Sequence, residues 1–288
     1  KDGIESAFAT GLATTLFAGV MLWLPTRHLS RDLNIRDGFM VTALFWVVLG
    51  LFGAIPLWLA PDLALTPVGA IFESISGLTT TGATVITGLD KLPQSLLFYR
   101  QLLQWLGGIG IIVLAVAILP MLGIGGMQLY RAESAGPSKD RKLTPRITST
   151  AKALFGIYLL LTIACAASYF AAGMSMFHAI CHAFSTVAIG GFSTHDASLG
   201  HYEQNRVLLV SSVFMLLSAI NFGLHFIALQ RRNLRVYARD SETAFFITVI
   251  ASATIVVCCL LLTTETLNFE DSMIHGLFQT ISIATTTG

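Results

Sequence analysis

Three short segments of this chain end in threonine, glycine and other small residues, whose backbone and hydroxyl oxygens could coordinate a cation. Residues 72–82 and 278–288 share Phe, Ile, Ser and a closing Thr-Thr-Thr-Gly when they are aligned without gaps. Residues 181–192 form a weaker copy that carries Gly190 and Gly191 near its end. A cation that leaves water needs its hydration shell replaced, and rings of backbone carbonyl oxygens can do this without fixed charge. The repeats therefore predict loops that coordinate a cation.

The glycines and threonines of these loops have separate expected roles. Backbone that turns carbonyl oxygens toward one point needs unusual dihedral angles, which glycine adopts at the least steric cost. Neighbouring threonine hydroxyls could add oxygen ligands or brace the loops. A short helix before each loop would aim its partially negative C-terminal end at the ion. The candidate glycines are Gly82, Gly190, Gly191 and Gly288. Because three loops do not close a fourfold ring, we expect a fourth unit beyond residue 288.

Membrane helices are the elements expected to position these loops. Hydrophobic residues make up 54% of the chain and charged residues only 11%, with a mean hydropathy of +0.73. Soluble domains carry about 25% charged residues, so much of the surface should face lipid. Six apolar segments approach the roughly 20 residues that a spanning helix needs. They cover residues 5–26, 38–60, 95–122, 147–172, 205–229 and 242–263.

The three repeats coincide with shorter apolar runs at residues 66–79, 174–187 and 271–284. A 14-residue helix covers about 21 Å, which is less than the roughly 30 Å hydrocarbon core. Non-helical backbone at membrane depth is tolerated only where it is buried in protein or lines a water-filled path. We therefore predict an all-α, polytopic membrane protein, built of repeated helix–pore-loop–helix units around a single ion path.

Lysine and arginine concentrate in three connections, which the positive-inside rule places in the cytoplasm. All three pore loops then lie on the outer side. The net charge of +1 gives no general attraction to nucleic acid. One basic connection, residues 131–152, could be a solvated loop or could dock an acidic cytosolic partner, and the residues leave both interpretations open.

Several polar residues in apolar surroundings have competing interpretations. Glu73 could raise the cation density near the loops or accept hydrogen bonds from loop N–H groups, and we favour the bracing role. His178 and His182 lie four residues apart, as in some zinc sites, but no third ligand is near in sequence, which favours simple hydrogen bonding. We expect Arg100 to snorkel to the membrane interface. We expect Asn221 to hydrogen-bond to a neighbouring helix rather than face the cavity.

Four stretches in order, residues 76–84, 104–111, 185–193 and 284–288, resemble the membrane subunit of the bacterial Trk/Ktr potassium-uptake systems, and its TrkH branch in particular. The resemblance covers essentially the whole chain. It implies four fused units around one potassium path, with one filter glycine per unit, here Gly82, Gly191 and Gly288. It also implies a homodimer in the bacterial inner membrane and a cytosolic nucleotide-binding regulatory ring, with K⁺ as the bound ion and no organic cofactor on this chain.

We therefore predict that the protein conducts potassium and is not an enzyme. The inner helices 95–122 and 205–229 are expected to line the cavity. The second loop departs from Thr-Thr-Thr-Gly, so the pore need not be fourfold symmetric. The predicted potassium-binding residues are Thr80, Thr81, Gly82, Ile189, Gly190, Gly191, Thr286, Thr287 and Gly288. The predicted supporting residues are Glu73, Thr79, Ala188 and Thr285.

The predicted organisation divides the chain into a leading helix and three pore-loop repeats. The leading helix and its cytoplasmic link occupy 1–34, the first repeat 35–130, the basic loop 131–152, the second repeat 147–235, and an incomplete third repeat 236–288. Two alternatives remain. A membrane-embedded enzyme would use Glu73 or His178 and His182, and a non-conducting scaffold or sensor derived from a channel would tolerate bulky residues at the glycines.

Overall fold

The computed structural model describes residues 3–28, 35–117, 143–202, 204–265 and 267–288. Within these ranges the regular structure is helical and contains no β-strand, which confirms the predicted all-α fold class. The helices are α1 (Glu5–Thr26), α2 (Ile35–Leu59), α3 (Pro67–Leu78), α4 (Gln94–Ala117), α5 (Leu143–Ala171), α6 (Met176–Val187), α7 (Asn205–Ala219), α8 (Phe222–Arg231), α9 (Arg235–Arg239), α10 (Ser241–Thr263) and α11 (Phe269–Ala284).

The helices form a repeated arrangement in which a long helix packs along a short one. Helix α2 packs on α3, α5 on α6, and α10 on α11. Helix α4 contacts both α3 and α6, whereas α7 contacts both α6 and α11. The inner helices of the first two units therefore join each short helix to the next one along the chain.

A polar cap begins each short helix. In α3, α6 and α11 the caps are Thr66, Ser175 and Asn268, and each side chain accepts the backbone N–H three residues later. Such caps satisfy one of the free N–H groups of a helix start and contribute about 1 kcal/mol. The caps explain why the three short helices begin close to the predicted runs at residues 66, 174 and 271.

The predicted inner helix 205–229 is broken. Helices α7 and α8 meet at an angle of 90°. Asn221 caps α8 by accepting the N–H of Gly223 at 2.9 Å. His225 Nε2 donates to the carbonyl oxygen of Leu217 at 2.8 Å, which satisfies a carbonyl at the end of α7. The predictions of one continuous helix and of an interhelical hydrogen bond from Asn221 were therefore wrong, because Asn221 satisfies its own helix start.

Several helices are long and apolar enough to cross a membrane. Among the described residues these are Glu5–Thr26, Ala151–Ala171 and Ser241–Thr263, and the bent pair α7–α8 adds a fourth if it counts as one span. The predicted spans 38–60 and 95–122 correspond to α2 and α4, parts of whose side chains lie outside the described set. Most of the predicted basic loop 131–152 also lies outside that set, and helix α5 already begins at Leu143.

Candidate functional site

The three repeats end in loops with one shared and unusual backbone conformation. We call residues 79–82 loop 1, residues 188–191 loop 2 and residues 285–288 loop 3. In each loop the second residue has a positive φ, 55° at Thr80, 49° at Ile189 and 61° at Thr286. Each closing glycine has a positive φ too. These values are 76° at Gly82, 84° at Gly191 and 88° at Gly288. A positive φ at a β-branched residue is an outlier, so its occurrence in all three loops marks them as structural equivalents.

Hydrogen bonds at the helix ends hold this conformation. The third residue of each loop donates its N–H to the carbonyl of an equivalent serine. The pairs are Thr81 with Ser76 at 2.9 Å, Gly190 with Ser185 at 2.9 Å and Thr287 with Ser282 at 2.8 Å. The second residue donates to the carbonyl three positions earlier, at 3.0–3.1 Å. This pair of bonds is a Schellman motif, which usually places glycine at the left-handed position.

Neighbouring loops lie directly against one another. A Cβ atom on Gly82 would collide with the carbonyl oxygen of Gly190, and one on Gly191 would collide with the carbonyl oxygen of Thr287. No described atom lies within 4 Å of a Cβ on Gly288. Helices α3, α6 and α11 all end at these loops, so their partially negative C-termini converge on one place. The predicted filter residues are therefore brought together.

Loops 1 and 3 share an internal hydroxyl pair that loop 2 lacks. Thr79 Oγ1 lies 2.7 Å from Thr81 Oγ1, and Thr285 Oγ1 lies 2.8 Å from Thr287 Oγ1. The matching positions in loop 2 are Ala188 and Gly190, which have no hydroxyl. Loop 2 therefore needs a different brace.

Gln104 of α4 supplies that brace. Its Nε2 donates to the carbonyl oxygen of Gly190 at 2.6 Å, and its Oε1 accepts the N–H of Phe192 at 3.1 Å. Gln104 is fully buried. A Cβ on Gly190 would lie 2.5 Å from the Gln104 Cδ, so glycine makes room for the amide. The Gly190 carbonyl, predicted as an ion ligand, is thus engaged by a side chain.

A buried ion pair joins α3 to α4, and its arginine also reaches the segment after loop 2. Arg100 Nη2 lies 2.7 Å from Glu73 Oε1, and both side chains are 0% exposed. Glu73 also accepts the N–H of Val85 at 3.0 Å and the hydroxyl of Thr84 at 2.9 Å. Arg100 Nη1 donates to the carbonyl of Ser193 at 3.2 Å. These contacts fit the bracing role expected of Glu73, whereas the prediction that Arg100 snorkels was wrong because its guanidinium is paired inside the protein.

Hydrogen bonds also occupy the histidines of α6. His178 Nδ1 lies 2.8 Å from Thr194 Oγ1. His182 uses both ring nitrogens, with Nδ1 2.8 Å from the His178 carbonyl and Nε2 3.1 Å from Ser193 Oγ. The pair therefore ties α6 to the segment after loop 2, as the hydrogen-bonding interpretation predicts.

Sequence reasoning missed the bracing roles of Arg100 and Gln104. The two residues lie one helical turn apart, so they share a face of α4. A polar side chain inside an apolar helix is costly and often functional, and that signal was present. Sequence reasoning also missed the cluster of Asp90, His195 and His201. No local sequence pattern could have indicated it, because Asp90 and His195 are 105 positions apart.

Comparisons with known proteins identify the family of this chain. The TrkH family model, described as a cation transport protein, matches residues 4–288. The Trk system potassium uptake protein TrkH of Halomonas elongata is 54% identical over 287 residues, which cover 100% of this chain and 60% of that protein. The corresponding protein of Escherichia coli K12 is 51% identical over 292 residues, with the same two coverages.

A solved structure also matches over the whole chain. The crystal structure of the potassium transporter TrkH from Vibrio parahaemolyticus has a TM-score of 0.91 and 48% sequence identity, covering 100% of this chain and 59% of that one. The chain spans about 60% of the length of the curated relatives it matches. This chain belongs to the TrkH family of cation transport proteins.

Proposed function

We propose that loops 1, 2 and 3 form part of a selectivity filter through which the whole protein conducts K⁺ across the membrane. The observation that carries this proposal is the convergence of three loops, distant in sequence, in one backbone conformation and in direct contact. The similar proteins of Halomonas and Escherichia are named potassium uptake proteins. Those names also disfavour the alternative of a membrane-embedded enzyme.

The ion would be held by backbone oxygens rather than by fixed charge. We assign the ligand role to carbonyls of the left-handed residues and closing glycines, with Thr81 and Thr287 as further candidates. Carbonyl rings replace the hydration shell, and the converging helix C-termini favour a cation. Gly190 is assigned to bracing, because Gln104 donates to its carbonyl. Glu73, Thr79, Ala188 and Thr285 support the loops behind these ligands.

Placement in the cell and assembly rest on the family resemblance and on charge. We assign the protein to the bacterial inner membrane, as a homodimer with a cytosolic nucleotide-binding ring. Exposed arginines cluster at the ends of α8 and α9, which the positive-inside rule places in the cytoplasm. The filter loops then face the outer side. A fourth loop, expected beyond residue 288, would cover the open side of Gly288 as Gly190 covers Gly82.

The test is potassium flux into liposomes that contain the full-length parent protein, with a sodium control. We expect Gly82→Ser and Gly191→Ser to reduce the flux or its selectivity, because a side chain there collides with the next loop. Gly88→Ser is the matched control: its φ is also 76°, but no atom of the described residues lies within 4 Å of an added Cβ. Normal selective flux in both filter variants would overturn the filter assignment. Absence of flux from liposomes that contain folded parent protein, cytosolic ring and nucleotide would favour the non-conducting scaffold alternative.

A further inference from the structure

A cluster of metal-ligating side chains lies beside the filter loops, between the first and second units. Asp90, His195 and His201 each offer one ligand atom, and these atoms all lie within 4.8 Å of one another. The His195 Nδ1 lies 2.5 Å from Asp90 Oδ1. The rings of His195 and His201 are parallel, with centroids 3.6 Å apart. Neither the filter nor its braces use these three residues.

The backbone holds the cluster in place from both sides. Asp90 lies in a short 3₁₀ helix, Leu89–Lys91, between loop 1 and α4. His201 ends the 3₁₀ helix Ser198–His201, which precedes α7. The N–H of Gly88 donates to Asp196 Oδ1 at 2.9 Å. The cluster therefore bridges the two segments that follow loops 1 and 2, and its ligands are brought close by the fold itself.

The chemistry of this donor set is specific. Two imidazoles and one carboxylate suit Zn²⁺ and related transition metals, whereas K⁺, Mg²⁺ and Ca²⁺ prefer oxygen ligands alone. Partial exposure of Asp90 leaves room for water to complete the coordination.

We propose that Asp90, His195 and His201 form a binding site for a Zn²⁺-class divalent cation on the outer rim of the ion path. The ion replaces the proton between His195 Nδ1 and Asp90 Oδ1, and that proton is released to water. Tetrahedral ligands at about 2.0–2.1 Å from zinc stand about 3.3 Å apart, so this contact must lengthen. A metal lies in the plane of each imidazole it binds, so His201, which is exposed, turns out of its parallel stack.

A bound divalent cation has a consequence for transport, and this step rests on the proposed function. It places positive charge beside the entrance to a cation path and crosslinks the segments after loops 1 and 2. Both effects oppose K⁺ entry. Zinc on the outer side therefore inhibits K⁺ flux, and the inhibition disappears when the cluster is dismantled.

Metal binding is measured first, on the full-length protein in lipid nanodiscs, by titrating Co²⁺ and following its visible absorption, then displacing it with Zn²⁺. The test variants are His201→Ala and Asp90→Asn, and the matched control is His28→Ala, an exposed histidine at the end of α1. We expect one Co²⁺ per protomer in the parent and control, and at least tenfold weaker binding in both test variants. Equal affinity in all four proteins, or no Co²⁺ absorption in the parent, overturns the site and leaves only the hydrogen bond between Asp90 and His195.

Flux is measured second, in liposomes with Zn²⁺ added outside. Inhibition of the parent and control but not of His201→Ala supports the transport consequence. Equal inhibition of all proteins overturns it. A parent that binds Co²⁺ but conducts no K⁺ would count against the proposed function while the metal site stands, so the two proposals fail separately.

Discussion

Replacing Gln104 by leucine removes the brace of loop 2 while keeping the side chain's approximate size. The substitution breaks two hydrogen bonds, to the Gly190 carbonyl and from the Phe192 N–H. Each buried backbone group left without a partner costs about 1–3 kcal/mol. The free energy of unfolding should therefore fall by about 2–6 kcal/mol if both groups stay dry. Loop 2 has no threonine pair to hold it, so we also expect the K⁺ over Na⁺ preference to fall.

Two assays check this prediction on the full-length protein. Unfolding in mixtures of detergent and SDS gives the change in stability, and liposome flux gives the ratio of Na⁺ to K⁺ permeation. Gln101→Leu is the matched control, because Gln101 is equally buried on α4 and its amide has no hydrogen-bond partner among the described residues. If Gln104→Leu behaves like Gln101→Leu in both assays, the bracing role is refuted.

A double-mutant cycle tests the same contact from the other side. Gly190→Ala alone forces a Cβ against the Gln104 amide. Gln104→Ala removes that obstacle, so the double variant should be less destabilised than the sum of the two single variants. Strict additivity would show that the two positions do not interact, and the account of why loop 2 carries glycine there would fail.

Two further predictions concern the packing behind the loops. Arg100→Met leaves the buried Glu73 carboxylate without its charged partner and should lower the free energy of unfolding by about 3–5 kcal/mol. Adding Glu73→Gln should recover part of this loss, as measured by SDS unfolding. A further loss in the double variant would contradict the ion-pair account. Gly107→Ala places a Cβ against the Leu78 carbonyl oxygen and should destabilise the protein. The control Gly156→Ala, whose Cβ has no neighbour within 4 Å in the described part of the chain, should gain up to about 1 kcal/mol from helix propensity. Equal unfolding midpoints for the two alanine variants would refute the close-packing argument.

Local signals were sufficient to predict most of the helices and the positions of the three loops. The apolar lengths separated spanning from short helices, and the segments 5–26 and 242–263 agree closely with Glu5–Thr26 and Ser241–Thr263. The length of an apolar run and the small residues that end it are local features, so they can be read from a single sequence. Loop 3 was predicted from its sequence identity with loop 1. Loop 2, the weaker copy, was predicted from its position between long apolar segments.

Contacts between distant residues could not be predicted in this way. Arg100 reaches Glu73 across 27 positions and Ser193 across 93, and no local pattern specifies either partner. The 90° bend between α7 and α8 was also not predicted, because residues 205–221 contain no proline or glycine to mark a break. Asn221 was the available signal, since its side chain is a strong helix cap, but an isolated asparagine in an apolar run is equally compatible with an interhelical bond.

The residues at positive φ in the loops show that the backbone near the site is conformationally strained. A Schellman motif favours glycine at this position, and a side chain there costs about 1–2 kcal/mol. The chain nevertheless places threonine, isoleucine and threonine at Thr80, Ile189 and Thr286, all β-branched and all at positive φ. Glycine would relieve the strain but would also free the backbone to adopt other dihedral angles. Stiff residues held by two hydrogen bonds keep the carbonyls in one orientation, so the strain is best explained by a requirement for rigidity at the ion path rather than by folding alone.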